Sequence, residues 1–117
     1  MAEYSIQPVG IVKKQGDDTC IEICPPYREA LMGLAGFSHI LVLFWFHEND
    51  TPEKRRILRV HPSKDESNPL MGVFGTHSPL RPNLIGITRC RILAVEDGLI
   101  KIDTIDAFDG SPVIDIK

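Results

Sequence analysis

The chain is 117 residues long, 43% apolar and 25% charged, with 13 Lys and Arg against 16 Asp and Glu for a net charge of −3. That length and apolar content support one hydrophobic core, and the reading is a single domain over 1–117 without repeats or low-complexity tracts. A net negative charge excludes a protein that coats nucleic acid over its whole surface, and the longest apolar run, Ile40 to Phe46, is far short of the roughly 20 residues that cross a bilayer.

No basic segment leads into an apolar one at the start, so the expectation is a soluble, cytoplasmic protein with no membrane partner. Val9 to Lys14, Gly16-Asp17-Asp18 and Thr19 to Cys24 read as strand, turn, strand. Cys20 and Cys24 lie roughly 13 Å apart along an extended strand, beyond disulfide reach, and the three cysteines point to a reducing compartment. Pro25-Pro26 stops the second strand, and Tyr27, Ala30, Leu31 and Leu34 have helical spacing before Gly33 and Gly36 end what is expected to be the one short helix.

Ile40 to Phe46 shows no polar alternation and is expected to be a central strand covered on both faces. His39 and His47 would lie about 26 Å apart if the segment between them were extended, and no Cys-x-x-Cys pair occurs, so no metal site is expected. Lys54, Arg55, Arg56, Arg59 and Lys64 form a basic stretch that could contact phosphate or simply face solvent, while Asp and Glu load the C-terminal segment. Arg55 to Val60 alternates weakly as a strand, Met71 to Phe74 is a short one, and Ile85 to Val95 turns through Glu96-Asp97-Gly98 into Leu99 to Ile105. Many short strands and one helix make the fold class mainly β.

Between two strand-like segments lies Gly72-Val73-Phe74-Gly75-Thr76-His77-Ser78-Pro79-Leu80-Arg81-Pro82-Asn83-Leu84-Ile85-Gly86. Pro79 and Pro82 fix their own φ and restrict Ser78 and Arg81, so the polar side chains project from a backbone with little freedom left to lose on binding. Composition alone leaves this as a ligand loop without a named ligand, or as a stiff surface loop. The stretch resembles the "GVFATRSPxRPNPIGL" signature of the TsaA-like, or TrmO, family. Gly36-Phe37-Ser38-His39-Ile40 with Leu43 to His47, and Asp106 to Lys117, carry the same resemblance in the same order.

The resemblance implies a compact β-barrel that pairs as a homodimer, binds S-adenosyl-L-methionine and methylates tRNA. Its cofactor would be held between Phe74–Gly86 and Asp106–Val113. In the first block Phe74 can pack on adenine, Thr76, Ser78 and Asn83 offer polar edges beside Gly86, and Arg81 presents a fork for a carboxylate. Asp109, Gly110, Ser111, Pro112 and Val113 match the family's "DGTPVLDIK" string, although as residues they read equally as an aspartate-glycine turn before a last strand. His39, His77, Asp106 and Asp109 are the candidates for a base, and catalysis rests more on positioning than on proton transfer.

Departures from the pattern are His77 for arginine, Gly75 for alanine and Leu84 for a second proline, together with Val60-His61-Pro62-Ser63 for "VRPP". His77 removes a fixed charge, and the expectation is a short form without the "PRQ" insert and the C-terminal domain of longer forms. The leading expectation is a methyltransferase acting on N6 of a threonylcarbamoylated adenosine next to the tRNA anticodon. The alternatives are a small-molecule acceptor, or a cofactor-binding module without turnover.

Overall fold

The computed structural model describes residues 1–117 and divides them into two compact units. The first holds Met1–Trp45 and Ile87–Lys117, and the second holds Phe46–Gly86.

The first unit is built on six strands: β1 (Gly10–Gln15), β2 (Asp18–Ile23), β3 (His39–Trp45), the long β6 (Ile85–Glu96), whose first two residues belong to the second unit, β7 (Leu99–Ile102) and β8 (Pro112–Ile116). They close as a barrel in the order β1-β2-β7-β6-β3-β8, so no strand is left with an open edge. The mainly β, barrel-like expectation is met. The inward residues alternate along each strand. Val12, Ile21, Ile23, Ile40, Val42, Phe44, Cys90, Ile100, Ile102 and Val113 are all buried and form the core.

Two turns set the register. Gln15 pairs with Asp18, leaving Gly16 and Asp17 as the loop, with Gly16 at φ 58. Glu96 pairs with Leu99 around Asp97 and Gly98, both at positive φ (53 and 75), the backbone that a two-residue type I′ hairpin demands. Both hairpins fall where the sequence places them.

β3 departs from expectation. Its residues alternate between buried and more exposed, with Leu41 open to solvent, so the barrel covers one face only; a run of apolar residues without polar alternation does not reveal which face is covered. The segment after β2 departs as well. Pro25–Leu31 and Leu34–Gly36 are 3-10 turns rather than an α-helix, with i to i+3 bonds such as Tyr27 N–H to Cys24 O (2.9 Å). None of their residues is buried, so no packed face favours α-helical spacing, and Gly33 at φ 82 breaks the segment.

The α-helical turn lies instead in the second unit, as α1 (Pro52–Arg55), which overlaps the expected strand from Arg55 to Val60 at Arg55 alone. Thr51 caps it by accepting the Lys54 N–H at 3.2 Å, and Pro52 stands in its first turn, so local capping sets the turn. What remains of the expected strand is β4 (Arg59–Val60), paired with β5 (Met71–Gly72). Val73 and Leu84 are the buried apolar anchors of this unit. No helix is long and apolar enough to cross a membrane.

Cys90 lies in the barrel core, and burial, with Asp103 and Asp106 adding to it, pushes its thiol up to about 11. The folded state therefore holds this proton more tightly than the unfolded chain. The associated stability is full below the ordinary value of 9.0 and is lost as pH rises toward about 11. Denaturation midpoints should fall over that interval, and Cys90→Ala should remove this component of the fall.

Candidate functional site

The loop of the second unit is folded onto its own arginine. After the 3-10 turn Val73–Gly75, the Thr76 hydroxyl donates to Val73 O (2.9 Å) and accepts the Ser78 N–H (3.1 Å), and the Ser78 hydroxyl oxygen accepts the Leu80 N–H (3.1 Å). The chain curls so that three carbonyls converge on Arg81 Nη1, those of Thr76 (3.0 Å), Ser78 (3.2 Å) and Val73 (3.3 Å). Two ties come from elsewhere in the same unit: Asn49 Nδ2 donates to Pro79 O (3.1 Å), and Arg55 Nε donates to Pro82 O (2.9 Å) while its Nη1 meets Asp50 (3.1 Å). Hydrogen bonds to a charged donor are the stronger kind, so this loop is set before any ligand arrives.

Arg81 is thus a loop staple as well as a candidate ligand group. A guanidinium carries five N–H donors, two of them on Nη1, so Nε and Nη2 keep three donors beyond the staple. The Ser78 hydroxyl receives a bond through its oxygen, and no acceptor takes its own hydrogen. Those donors can meet an acidic or carbonyl oxygen.

The same loop walls a cleft of about 780 Å³. Gly75, Thr76, His77, Ser78, Pro79 and Leu80 form one side, and Asn49, Lys54, Met71 and Val60–Lys64 complete the lining. Two lysines and two histidines face a lining that contains no Asp or Glu at all. His61 is fixed by its Nδ1, which donates to Asn68 O at 2.9 Å, while the exposed His77 bonds to no protein group. Asn49 and His61 were not singled out by sequence reasoning; only the "VRPP"-like position of His61 hinted at the second. Of the basic stretch, Lys54 and Lys64 reach the cleft, whereas Arg55 is a staple.

The other expected site residues are placed as follows. Phe74 is 82% exposed, Asn83 is exposed, and Gly86 is buried. Leu84, at the family's proline position, is fully buried and accepts the Phe46 N–H at 2.8 Å, so the departure fills this unit's core.

The C-terminal block and His39 belong to the first unit, each with partners there. Asp109 Oδ1 accepts the Lys14 N–H (2.8 Å), Gly110 at φ 84 donates to Val12 O (2.8 Å), and the Ser111 carbonyl accepts from Val12 (3.0 Å). Ser111 and Val113 are buried, and Pro112 and Val113 open β8 by pairing with Ile11 and Gly10. Thr88 donates to Asp106, and His39 Nδ1 lies 2.8 Å from Ser38 Oγ. This block closes the barrel with backbone and carboxylate bonds.

The sequence pattern of the tRNA-methyltransferase O N-terminal domain matches residues 3–117. A probable S-adenosyl-L-methionine-binding protein of Methanocaldococcus jannaschii is 46% identical over 114 residues, covering 97% of this chain and 90% of that one. Its counterpart in Pyrococcus horikoshii is 47% identical over 97% of this chain and 81% of its own. A human tRNA (adenine(37)-N6)-methyltransferase is 43% identical over 77% of this chain, which spans 20% of that protein. Among solved structures, TrmO from Pseudomonas aeruginosa superposes with a TM-score of 0.75 at 31% identity over 99% of this chain and 55% of its own, so the chain spans about half of that structure. With a pattern match running through almost every residue and a barrel that superposes on solved members, this chain belongs to the tRNA-methyltransferase O family, as its N-terminal domain.

Proposed function

We propose that the chain is an S-adenosyl-L-methionine-dependent methyltransferase acting on tRNA, and that its acceptor is N6 of a threonylcarbamoylated adenosine next to the anticodon. Family membership and the names borne by its relatives support the activity. The observation that carries it is the stapled loop, which keeps three guanidinium donors and the Ser78 hydroxyl hydrogen free on a fixed backbone. That donor set suits the carboxylate of an amino-acid moiety, and the cofactor, when bound, supplies an electrophilic methyl group. Arg81 and Ser78 orient it, and Thr76 holds the loop that positions them. Among the candidate bases, His77 stands on this loop with both ring nitrogens unengaged, so it is assigned to take the N6 proton. His39 and Asp106 are already engaged by Ser38 and Thr88.

The test is transfer of labelled methyl from the cofactor to a tRNA pool rich in threonylcarbamoyladenosine. Label at that nucleoside supports the reading; calorimetric cofactor binding without label would leave the second reading, a binding module, which the names of the archaeal relatives favour because they specify no acceptor. Pairing as a homodimer is expected, supported by the outward apolar residues Leu41, Ile87 and Leu93 on the neighbouring strands β3 and β6. Sedimentation should give twice the chain mass, and Leu93→Glu should lower it.

A further inference from the structure

The acidity of the chain is unevenly divided. Residues 1–45 and 87–117 carry seven Lys and Arg against eleven Asp and Glu, whereas residues 46–86 carry six against five. None of those five carboxylates lines the cleft; Asp50 pairs with Arg55, and Asp65 is drawn to Ser67, whose hydroxyl and N–H hold its carboxyl below the usual range. The cleft therefore presents cations without a counter-charge, and its concave form concentrates their field.

One of those cations is held in place, and the other stands on a fixed backbone. Lys54 Nζ donates to Glu48 O (3.3 Å) and to Asn49 Oδ1 (3.4 Å), and Asn49 is itself oriented by Pro79 O, which leaves one ammonium donor unspent. Lys64 stands at the rim on left-handed backbone, as does Ser63 before it (φ 56 and 59), in a turn closed by its own N–H to His61 O (3.0 Å) and by Asn68 Nδ2 to Pro62 O (2.8 Å). Neither ammonium has an acidic partner. Phosphodiesters would be drawn to such a surface.

The stapled loop also carries an exposed aromatic ring. Phe74 lies on the stapled loop next to Gly75 of the cleft wall, and it is 82% exposed although a phenyl ring gains from burial. A solvent-facing ring on a loop that walls an acid-free cationic groove is the composition that holds single-stranded nucleic acid, with the backbone in the groove and a base on the ring.

We propose that residues 46–86 form a grip for single-stranded RNA, with Lys54 and Lys64 taking successive phosphates and Phe74 stacking an unpaired base. The proposal rests on the tRNA reading for the choice of RNA, and it assigns the surface that meets the acceptor strand. The experiment is fluorescence anisotropy of the full chain with a labelled, unmodified, mixed-sequence 12-nucleotide RNA across a salt series. A slope of log affinity against log salt is expected, and K54A/K64A should reduce it by about 1.4, at about 0.7 per phosphate contact on single strands. Phe74→Ala should weaken binding at least fivefold with the slope unchanged, and Phe74→Trp should restore it.

RNA affinity indifferent to both sets of substitutions, or no binding at low salt by a protein with a normal melting transition, overturns the grip. Methyl transfer to tRNA that persists under those results would leave the methyltransferase reading standing alone. Binding that responds as expected, with no methyl transfer to any tRNA, would uphold the grip and remove the reading.

Discussion

Replacement of Arg81 by alanine is expected to weaken S-adenosyl-L-methionine binding by more than tenfold, at least about 1.4 kcal/mol, and to destabilise the fold by about 2 kcal/mol. The two losses have separate origins. Affinity falls because the free Nε and Nη2 donors disappear, whereas stability falls because the carbonyls of Val73, Thr76 and Ser78 lose a shared charged donor. Arg81→Lys separates them: a single ammonium keeps the charge and can reach the carbonyls, but it offers no planar fork for a carboxylate. Calorimetric titration should therefore show weak binding in both variants, and thermal melting should show a smaller loss in the lysine variant. Unchanged affinity beside lowered stability would make Arg81 a staple and nothing more.

Gly10→Ala is expected to cost about 3 kcal/mol of folding stability, at the upper end of what overpacking produces. A methyl group at this position would stand 2.7 Å from the Glu22 carbonyl oxygen and 3.2 and 3.3 Å from the side chains of Ile21 and Ile23. Gly10 is paired on both sides, with Ile23 of β2 and Val113 of β8, so β1 cannot retreat without opening the closed barrel. Gly36→Ala serves as the control, because nothing lies within 4 Å of its added carbon and its φ is unexceptional. Urea denaturation of the two variants should give a large and a negligible shift of midpoint, and equal shifts would refute the clash.

The hairpins were legible because their turns are written in adjacent residues, Gly16-Asp17 and Asp97-Gly98, whose backbone preferences act locally. The crowding at Gly10 was not, since it depends on the carbonyl of Glu22 across the strand pair. The same distinction divides the site. Pro79 and Pro82 announced a stiff loop, and the recurrence of three blocks announced the family. That Arg81 would spend one nitrogen on three carbonyls is a property of the folded loop, in which residues 73, 76 and 78 turn their oxygens to one point. The strip from Lys54 to Lys64 shows both outcomes, since a capping threonine turned its start into a helical turn and directed Arg55 to Asp50 and Pro82.

The hydrogen bond from Phe46 N–H to Leu84 O fastens the two ends of the second unit together, one residue in from where the chain leaves β3 and three in from where it joins the first unit again within β6. A stretch of some forty residues that begins and ends at a single clasp behaves as a cassette. Its interior can lengthen, shorten or change its charge while the six-strand register is preserved, so selection can retarget the cleft and its rim without renegotiating the barrel.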